Sequence, residues 1–171
     1  FVGYNNADAT FSGKLIAKSV TKMGTGNWTI KGNENTSSIT VKEGKLTIFN
    51  ISGVATTGTM TVGKGAVLAG TGTTNSIVAQ TGAVVKPGMT DDAVATLTTN
   101  SNAIMQVGAT LVVNVSATSN SKLNVKGSIF SMAGNDTIVI APQDGRTFIV
   151  GEMLTLFPGT KPASGWIIKS T

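Results

Sequence analysis

The chain of 171 residues contains neither cysteine nor histidine, and only 12% of its residues are charged and 5% aromatic. Without cysteine there is no disulfide framework, thiolate metal site or cysteine nucleophile, although this absence does not by itself assign a compartment. Without histidine, the commonest general base, the Ser-His-Asp arrangement and histidine-ligated metals are all excluded. An enzyme built on this chain would have to work with carboxylates, lysine or tyrosine alone.

Long apolar runs and helical periodicity are also missing. No run approaches the roughly 20 apolar residues that a membrane-spanning helix requires. Residues 91–106 come nearest to a period of 3.6, but their threonines and asparagines favour a loop followed by a strand. The chain instead has 21 Gly, 26 Thr, 14 Ser and 13 Asn, with a hydrophobic fraction of 40%. This composition indicates a folded, all-β protein with many tight turns.

The net charge of +5 comes from few and scattered charges. Nucleic-acid-binding proteins usually cluster Arg and Lys and add stacking aromatics, whereas here the one arginine is Arg146. No nucleic-acid partner is therefore expected, and the lysines of the first 64 residues are predicted to form a solvated surface. These lysines are Lys14, Lys18, Lys22, Lys31, Lys42, Lys45 and Lys64.

A unit of strand, glycine and strand recurs along the chain. Residues 39–41 and 46–48 alternate apolar and polar side chains around Gly44, and similar units surround four later glycines. These are Gly65, Gly82, Gly108 and Gly127. A degenerate repeat of about 20 residues, too short to bury its own apolar face, predicts a stacked solenoid. The alternative is a β-sandwich, in which consecutive strands would pair antiparallel.

Residues 22–36 read KMGTGNWTIKGNENT, and residues 40–48 read TVKEGKLTI. This order resembles the autotransporter-associated β-strand repeat, K-x-G-x-G-x-L-x-L-x-G-x-N-T followed by T-x-V-x-x-G-x-L. The resemblance extends over residues 11–157, because similar glycine, threonine and valine patterns continue downstream. There are departures: Ser37 and Ser38 replace the usual Tyr and Gly, and Lys122 stands where Asp is common.

The resemblance implies a right-handed parallel β-helix spanning 1–171 as a single domain, a segment of a longer exported protein. The chain begins at Phe1 rather than Met, which is typical of a processed or excised segment. The implied location is extracellular, on the bacterial cell surface and associated with the outer membrane, with membrane attachment only through parts outside this sequence. Implied partners are host or bacterial surface glycans or proteins, or further copies of the chain.

The repeat also predicts which side chains face inward. A repeat near 20 residues would give seven or eight rungs and a rod of about 35 Å, since parallel strands stack at roughly 4.8 Å. Thr40, Thr47, Thr61, Asn114 and Asn124 are expected to face solvent. The predicted inward positions are Ile39, Val41, Leu46, Ile48, Met60, Val62, Leu111, Val113, Leu123, Val125, Ile138 and Ile140.

The longest glycine spacing, from Gly82 to Gly108, predicts a loop extruded at residues 87–93. Lys86, Asp91 and Asp92 concentrate charge there and form a candidate partner-binding loop. The adjacent carboxylates could bind Ca²⁺ or act as acid and base, but neighbouring residues of an extended chain point apart, which favours a solvated turn. We predict no catalytic residues, no cofactor and no metal site.

Other motifs are better explained by structure. Residues 135–136 and 143–145 are predicted to be turns, because Asn-Asp and Asp-Gly favour turn conformations. Trp28 and Trp166 could stack on sugars, but tryptophan more often packs inside a protein.

Two functions from different classes follow from these observations. The favoured one is a non-catalytic, surface-exposed scaffold or adhesin-like segment, because no catalytic set is present. The alternative is a polysaccharide-degrading β-helix enzyme, a lyase or hydrolase, which would need acids clustered on one face. The β-sandwich would instead make the chain a binding module.

Overall fold

The computed structural model describes residues 1–32, 35–49, 53–132, 134–148, 152–162 and 167–170. This part of the chain contains no helix and is built from seventeen strands, so no helix in it is long and apolar enough to cross a membrane. In chain order the strands are β1 (Ala9–Phe11), β2 (Ile16–Lys22), β3 (Asn27–Ile30), β4 (Asn35–Val41), β5 (Lys45–Ile48), β6 (Thr59–Val62), β7 (Val67–Gly70), β8 (Thr73–Thr74), β9 (Ser76–Ala79), β10 (Val84–Pro87), β11 (Thr96–Thr99), β12 (Ala103–Met105), β13 (Thr110–Val115), β14 (Lys122–Val125), β15 (Phe130–Met132), β16 (Thr137–Pro142) and β17 (Ile167–Ser170).

The strands form three parallel sheets. A long sheet has the order β1-β3-β5-β7-β10-β13-β16-β17, a six-stranded sheet runs β15-β12-β9-β6-β4-β2, and a short sheet runs β14-β11-β8. From β1 to β16, consecutive strands lie in different sheets, and the inner strands of each sheet pair with their counterparts from the preceding and following passes; β16 and β17 are neighbours in the long sheet. The fold is thus a parallel β-helix, each pass being one rung, and the sandwich alternative is wrong. The eight strands of the long sheet span about 35 Å.

Alternating apolar residues stack in register to form one continuous core. In the long sheet, Trp28 aligns with Leu46, Leu46 with Leu68, and Leu68 with Val85. The same buried column continues through Leu111 and Ile138. All twelve predicted inward positions are buried, which confirms the register taken from the repeat. Stacking like residues at one strand spacing removes their apolar surfaces from water on both sides.

The outward positions are only partly as predicted. Thr40, Thr61 and Asn124 lie half-buried on the outer faces, but Thr47 and Asn114 are fully buried and were wrongly expected to face solvent. The Thr47 hydroxyl donates a hydrogen bond to Asn27 Oδ1 at 2.8 Å, one rung back. Asn114 lies beneath the loop that carries Asp91 and Ala93 in the preceding rung. Period-2 alternation reports which face a residue is on, not whether another segment covers it.

Residues with a left-handed backbone conformation make the turns that lead from the six-stranded sheet into the long sheet. Gly44, Gly65, Gly82 and Gly108 lie at this turn, with φ between 67° and 82°. Gly127 was wrongly placed with them, because it lies between β14 and β15, where the short sheet leads into the six-stranded sheet. In that rung the corresponding turn is made by asparagine, whose short polar side chain tolerates the left-handed region, with φ of 74° at residue 135.

Candidate functional site

The predicted loop occupies residues 88–95, between β10 of the long sheet and β11 of the short sheet; we call it the 88–95 corner. It starts where Gly88 and Gly70 exchange two main-chain hydrogen bonds, of 2.8 and 2.9 Å. Gly88 has φ of 137°, and a Cβ there would lie 2.6 Å from the Ala93 carbonyl oxygen. Only glycine fits this close approach, so the corner leaves the strand in one defined direction.

Asn114, on β13 of the next rung, holds the middle of the corner. Its Nδ2 donates to the carbonyl oxygens of Asp91 at 2.8 Å and Ala93 at 2.9 Å. Its Oδ1 accepts a hydrogen bond from Gln143 Nε2 at 3.3 Å. This network satisfies main-chain groups that no sheet ladder reaches, which explains why a residue on the outer face is buried.

Ser121, also fully buried, holds the two ends of the same corner. Its Oγ lies 3.1 Å from the Pro87 carbonyl oxygen and 3.3 Å from that of Ala93. The same oxygen accepts a hydrogen bond from the Ala95 main-chain nitrogen at 3.3 Å. The 88–95 corner is therefore fastened at its start, middle and end by side chains of the following rung.

Of the two carboxylates in the corner, Asp91 lies close to lysine side chains. The Asp91 carboxylate is 3.4 Å from Lys86 Nζ and 3.8 Å from Lys45 Nζ, with its side chain 81% exposed. The sequence predicts that Lys86, Asp91 and Asp92 concentrate charge at this loop, but it gives no indication of Lys45. Lys45 lies in β5, two strands away from β10 in the sheet order, and only the register of the long sheet brings it near.

Asp92 lies apart from this cluster. It is exposed and forms neither a hydrogen bond nor an ion pair with the residues that the structure describes. The two adjacent carboxylates therefore differ in their surroundings, since Lys45 and Lys86 lie beside Asp91 alone. Among the described residues, no group of three or more Asp and Glu side chains could hold a metal ion.

The remaining sequence candidates are structural. Asp136 is fully buried at the turn between β15 and β16, and its Oδ1 accepts a hydrogen bond from the Ala109 nitrogen at 3.1 Å. Asp144 and Gly145 form a left-handed turn, as predicted. Trp28 is buried in the core, in agreement with the packing hypothesis, and Trp166 lies outside the described residues.

Lys22 contradicts the prediction of a solvated lysine surface, because only 1% of it is exposed. Its ammonium donates to the carbonyl oxygens of Met23 and Gly24 at 2.7 Å and of Glu43 at 3.2 Å. Desolvation by burial lowers the pKa of Lys22, while the negative charges of Glu43 and Asp8 oppose this shift. Lys22 is in register with the inward-facing Val41. Its burial could have been predicted from the sequence, because it lies two residues after Val20 and therefore on the same, inward face of the strand.

The geometry thus defines a class of protein, a parallel β-helix with one fastened, charged corner. Comparisons of the chain with family models, with curated proteins and with solved structures found no match.

Proposed function

We propose that this chain is a non-catalytic, surface-exposed β-helix scaffold, an adhesin-like segment of an exported bacterial protein. The observation that carries the proposal is the 88–95 corner, an exposed charged loop held in one conformation by Asn114 and Ser121. A loop that is ordered before binding loses little conformational entropy when it meets a partner. Host or bacterial surface glycans and proteins are the proposed partners.

The distribution of acids supports a non-catalytic role. Among the described acids, Asp136 is buried in a turn, Glu152 pairs with Arg146, and Asp91 pairs with two lysines. Glycosidases place two carboxyl groups on either side of the scissile bond, and lyases also need acids grouped in a groove. Lys45 and Lys86 engage Asp91 but not the adjacent Asp92, and this supports the non-catalytic proposal.

The resemblance to the autotransporter-associated repeat supports the proposed exported location. That repeat includes a lysine at the position of Lys22 and glycines at Gly24 and Gly26. In this fold the lysine fills the turn between two sheets, and a Cβ on Gly26 would lie 2.4 Å from the Ala7 carbonyl oxygen. The motif residues thus have a physical role in stacking, which is the role expected of a repeat signature.

Attachment of protein-coated beads to bacterial and host cells tests the proposal. Asp92→Asn and Lys86→Ala should each reduce attachment several-fold, because Asp92 is an exposed charge of the corner and Lys86 pairs with the exposed Asp91. Asp92→Asn should keep the parent stability within about 0.5 kcal/mol, since an exposed charge contributes little to folding. Lys86→Ala should cost somewhat more, since it also removes the packed stem of a side chain that is only 18% exposed, so its attachment is compared under conditions where both variants are folded. Asp144→Asn is the matched control, removing one exposed carboxylate from another turn.

Attachment that is equal for parent, Asp92→Asn and Lys86→Ala would remove the corner as the contact surface. Turnover of plant, host or bacterial polysaccharides by the parent, lost in Asp91→Asn or Asp92→Asn, would instead favour the lyase or hydrolase.

A further inference from the structure

Within the described residues, β1 and β17 are the two outermost strands of the long sheet. Among the described residues, β1 pairs only with β3, and β17 pairs only with β16. All four residues of β17 are exposed. An unpaired strand edge presents main-chain donors and acceptors in a row and so can accept a further strand.

The edge at β17 adjoins an open end of the core. Ile168 is in register with Ile138, and Ser170 with Ile140, both of which are inward-facing core residues. A cleft of about 670 Å³ lies there, and its lining includes Ile140, Leu154, Phe157, Ile168 and Ser170. This cleft continues the apolar interior of the solenoid, so a further rung would bury it.

The hydrogen bonds of the long sheet follow one rule that sets how a further strand would pair. Outward-facing residues direct their N–H groups to the preceding rung, as in Lys45 to Gly26, Val67 to Gly44 and Val84 to Ala66. Inward-facing residues therefore offer their main-chain groups to the following rung.

The two free edges obey the same rule. In β17, the Ile167 nitrogen donates to the Asp136 oxygen at 2.8 Å, which leaves the main-chain groups of Ile168 and Ser170 on the free side. In β1, the Phe11 oxygen accepts from the Lys31 nitrogen at 2.8 Å, which leaves those of Thr10 free. The free N–H and C=O groups of β17 can therefore face the free C=O and N–H groups of β1 when the two strands pair in parallel.

We propose that β17 of one chain pairs in parallel with β1 of a second copy, so that the solenoid continues from chain to chain. In this register Thr10 lies beside Lys169, its N–H donates to the Ile168 oxygen, and its oxygen accepts from the Ser170 N–H. Phe11 then stacks on the small Ser170 and enters the cleft, while the small Ala9 stacks on Ile168.

Charge supports the same register. Asp8, which precedes β1, lies diagonally across from Lys169 on the outer face, within the reach of cross-strand charge pairs. The contact is heterologous, since each copy uses one edge as donor and the other as acceptor, and such contacts extend into filaments unless they close. This surface does not involve the 88–95 corner, so the proposal stands apart from the proposed function.

Sedimentation of the 171-residue chain over a wide concentration range tests the proposal. The parent should grow beyond 17.4 kDa as its concentration rises. Thr10→Pro and Ser170→Pro each remove one N–H from a free edge while leaving the existing ladders intact, and each variant alone should remain a single chain. A mixture of the two should form dimers and nothing larger, because one competent edge of each kind remains.

Thr10→Val and Ser170→Ala are the matched controls; they keep the main-chain N–H and should assemble like the parent. A parent that keeps the mass of one chain at every concentration overturns the proposal, as does undiminished assembly of both proline variants. Where circular dichroism shows that a proline variant is misfolded, Lys169→Glu replaces it. Lys169→Glu should raise the dissociation constant about two- to fivefold through repulsion with Asp8, and an unchanged constant contradicts the register.

Discussion

The connections on the two sides of the solenoid differ in how much their lengths vary from rung to rung. From the six-stranded sheet to the long sheet, the chain turns in three or four residues, as at 42–44, 63–66, 80–83 and 106–109. On the return to the six-stranded sheet, the chain uses residues 71–75 in one rung, 88–102 in the next and 116–129 in the one after. Among these turns, the variation in length therefore lies on the return side.

This difference separates the part of the rung that makes the fold from the part that is free to carry function. Stacked strands tolerate no insertion, because one extra residue would turn the inward side chains outward. The return side accepts insertions, provided that their main-chain groups find partners. Asn114 and Ser121 supply those partners for the 88–95 corner.

The largest expected effect comes from a charge in the stacked core. Val41→Asp or Leu111→Asp should unfold or aggregate the chain, since each places an unpaired carboxylate in a dry interior at a cost of several kcal/mol. Thr40→Asp, on the outer face of the same strand, is the control and should stay folded. Thermal unfolding distinguishes them, and a parent-like melting temperature for Val41→Asp would contradict the register.

A smaller loss is expected at the buried lysine of the first short turn. Lys22→Met keeps apolar volume but leaves three carbonyl oxygens without their ammonium donor. Of these bonds only the one to Gly24 is fully buried, so the loss should be roughly 1–3 kcal/mol. Lys42→Met, which changes an exposed lysine, is the control and should have little effect on denaturant unfolding.

Lys22 should also give stability a pH dependence. Its pKa is lowered in the folded state, so between that value and the ordinary 10.5 the unfolded chain binds more protons. The free energy of unfolding contributed by Lys22 therefore rises with pH through this window. The difference between the parent and Lys22→Met should follow this slope, and a difference that is constant with pH would contradict the burial of the ammonium.

Two glycines of the short turn should respond differently to alanine. Both lie in the left-handed region, but a Cβ on Gly44 would lie 2.5 Å from the Gly24 carbonyl oxygen, whereas a Cβ on Gly65 meets nothing within 4 Å. Gly65→Ala should cost about 1–2 kcal/mol from backbone strain alone. Gly44→Ala should cost about 2–4 kcal/mol, since crowding is added. Equal losses in denaturant titrations would show that stacking at this turn is loose.

The smallest effect is expected on the return side. Asn114→Ala should release the 88–95 corner and lower global stability by about 1–2 kcal/mol, because the two carbonyl oxygens it holds lose their donor. Hydrogen exchange and proteolysis within residues 88–95 should increase, while the long sheet stays protected. Asn124→Ala, on the outer face of β14, should leave both unchanged; equal protection of the corner in the two variants would mean that Asn114 does not hold it.

The amino-acid sequence alone determined the class of fold and its inward face. Alternation at residues 39–41 and 46–48, repeated around glycines, was enough to predict parallel stacking, because a short rung cannot bury its apolar face without neighbours. The position of the loop near Asp91 also followed, since strands of fixed length must expel additional residues. These properties depend on local spacing, which a sequence displays directly.

Only the tertiary structure decided which residues lie under that loop and beside it. Lys45 approaches Asp91, Asn114 is covered by the corner, and Gly127 belongs to a different turn. The short sheet, with β8, β11 and β14, was likewise not expected. Alternation states which face a side chain occupies, but its neighbours on that face come from other rungs, and their alignment depends on how the whole stack comes into register.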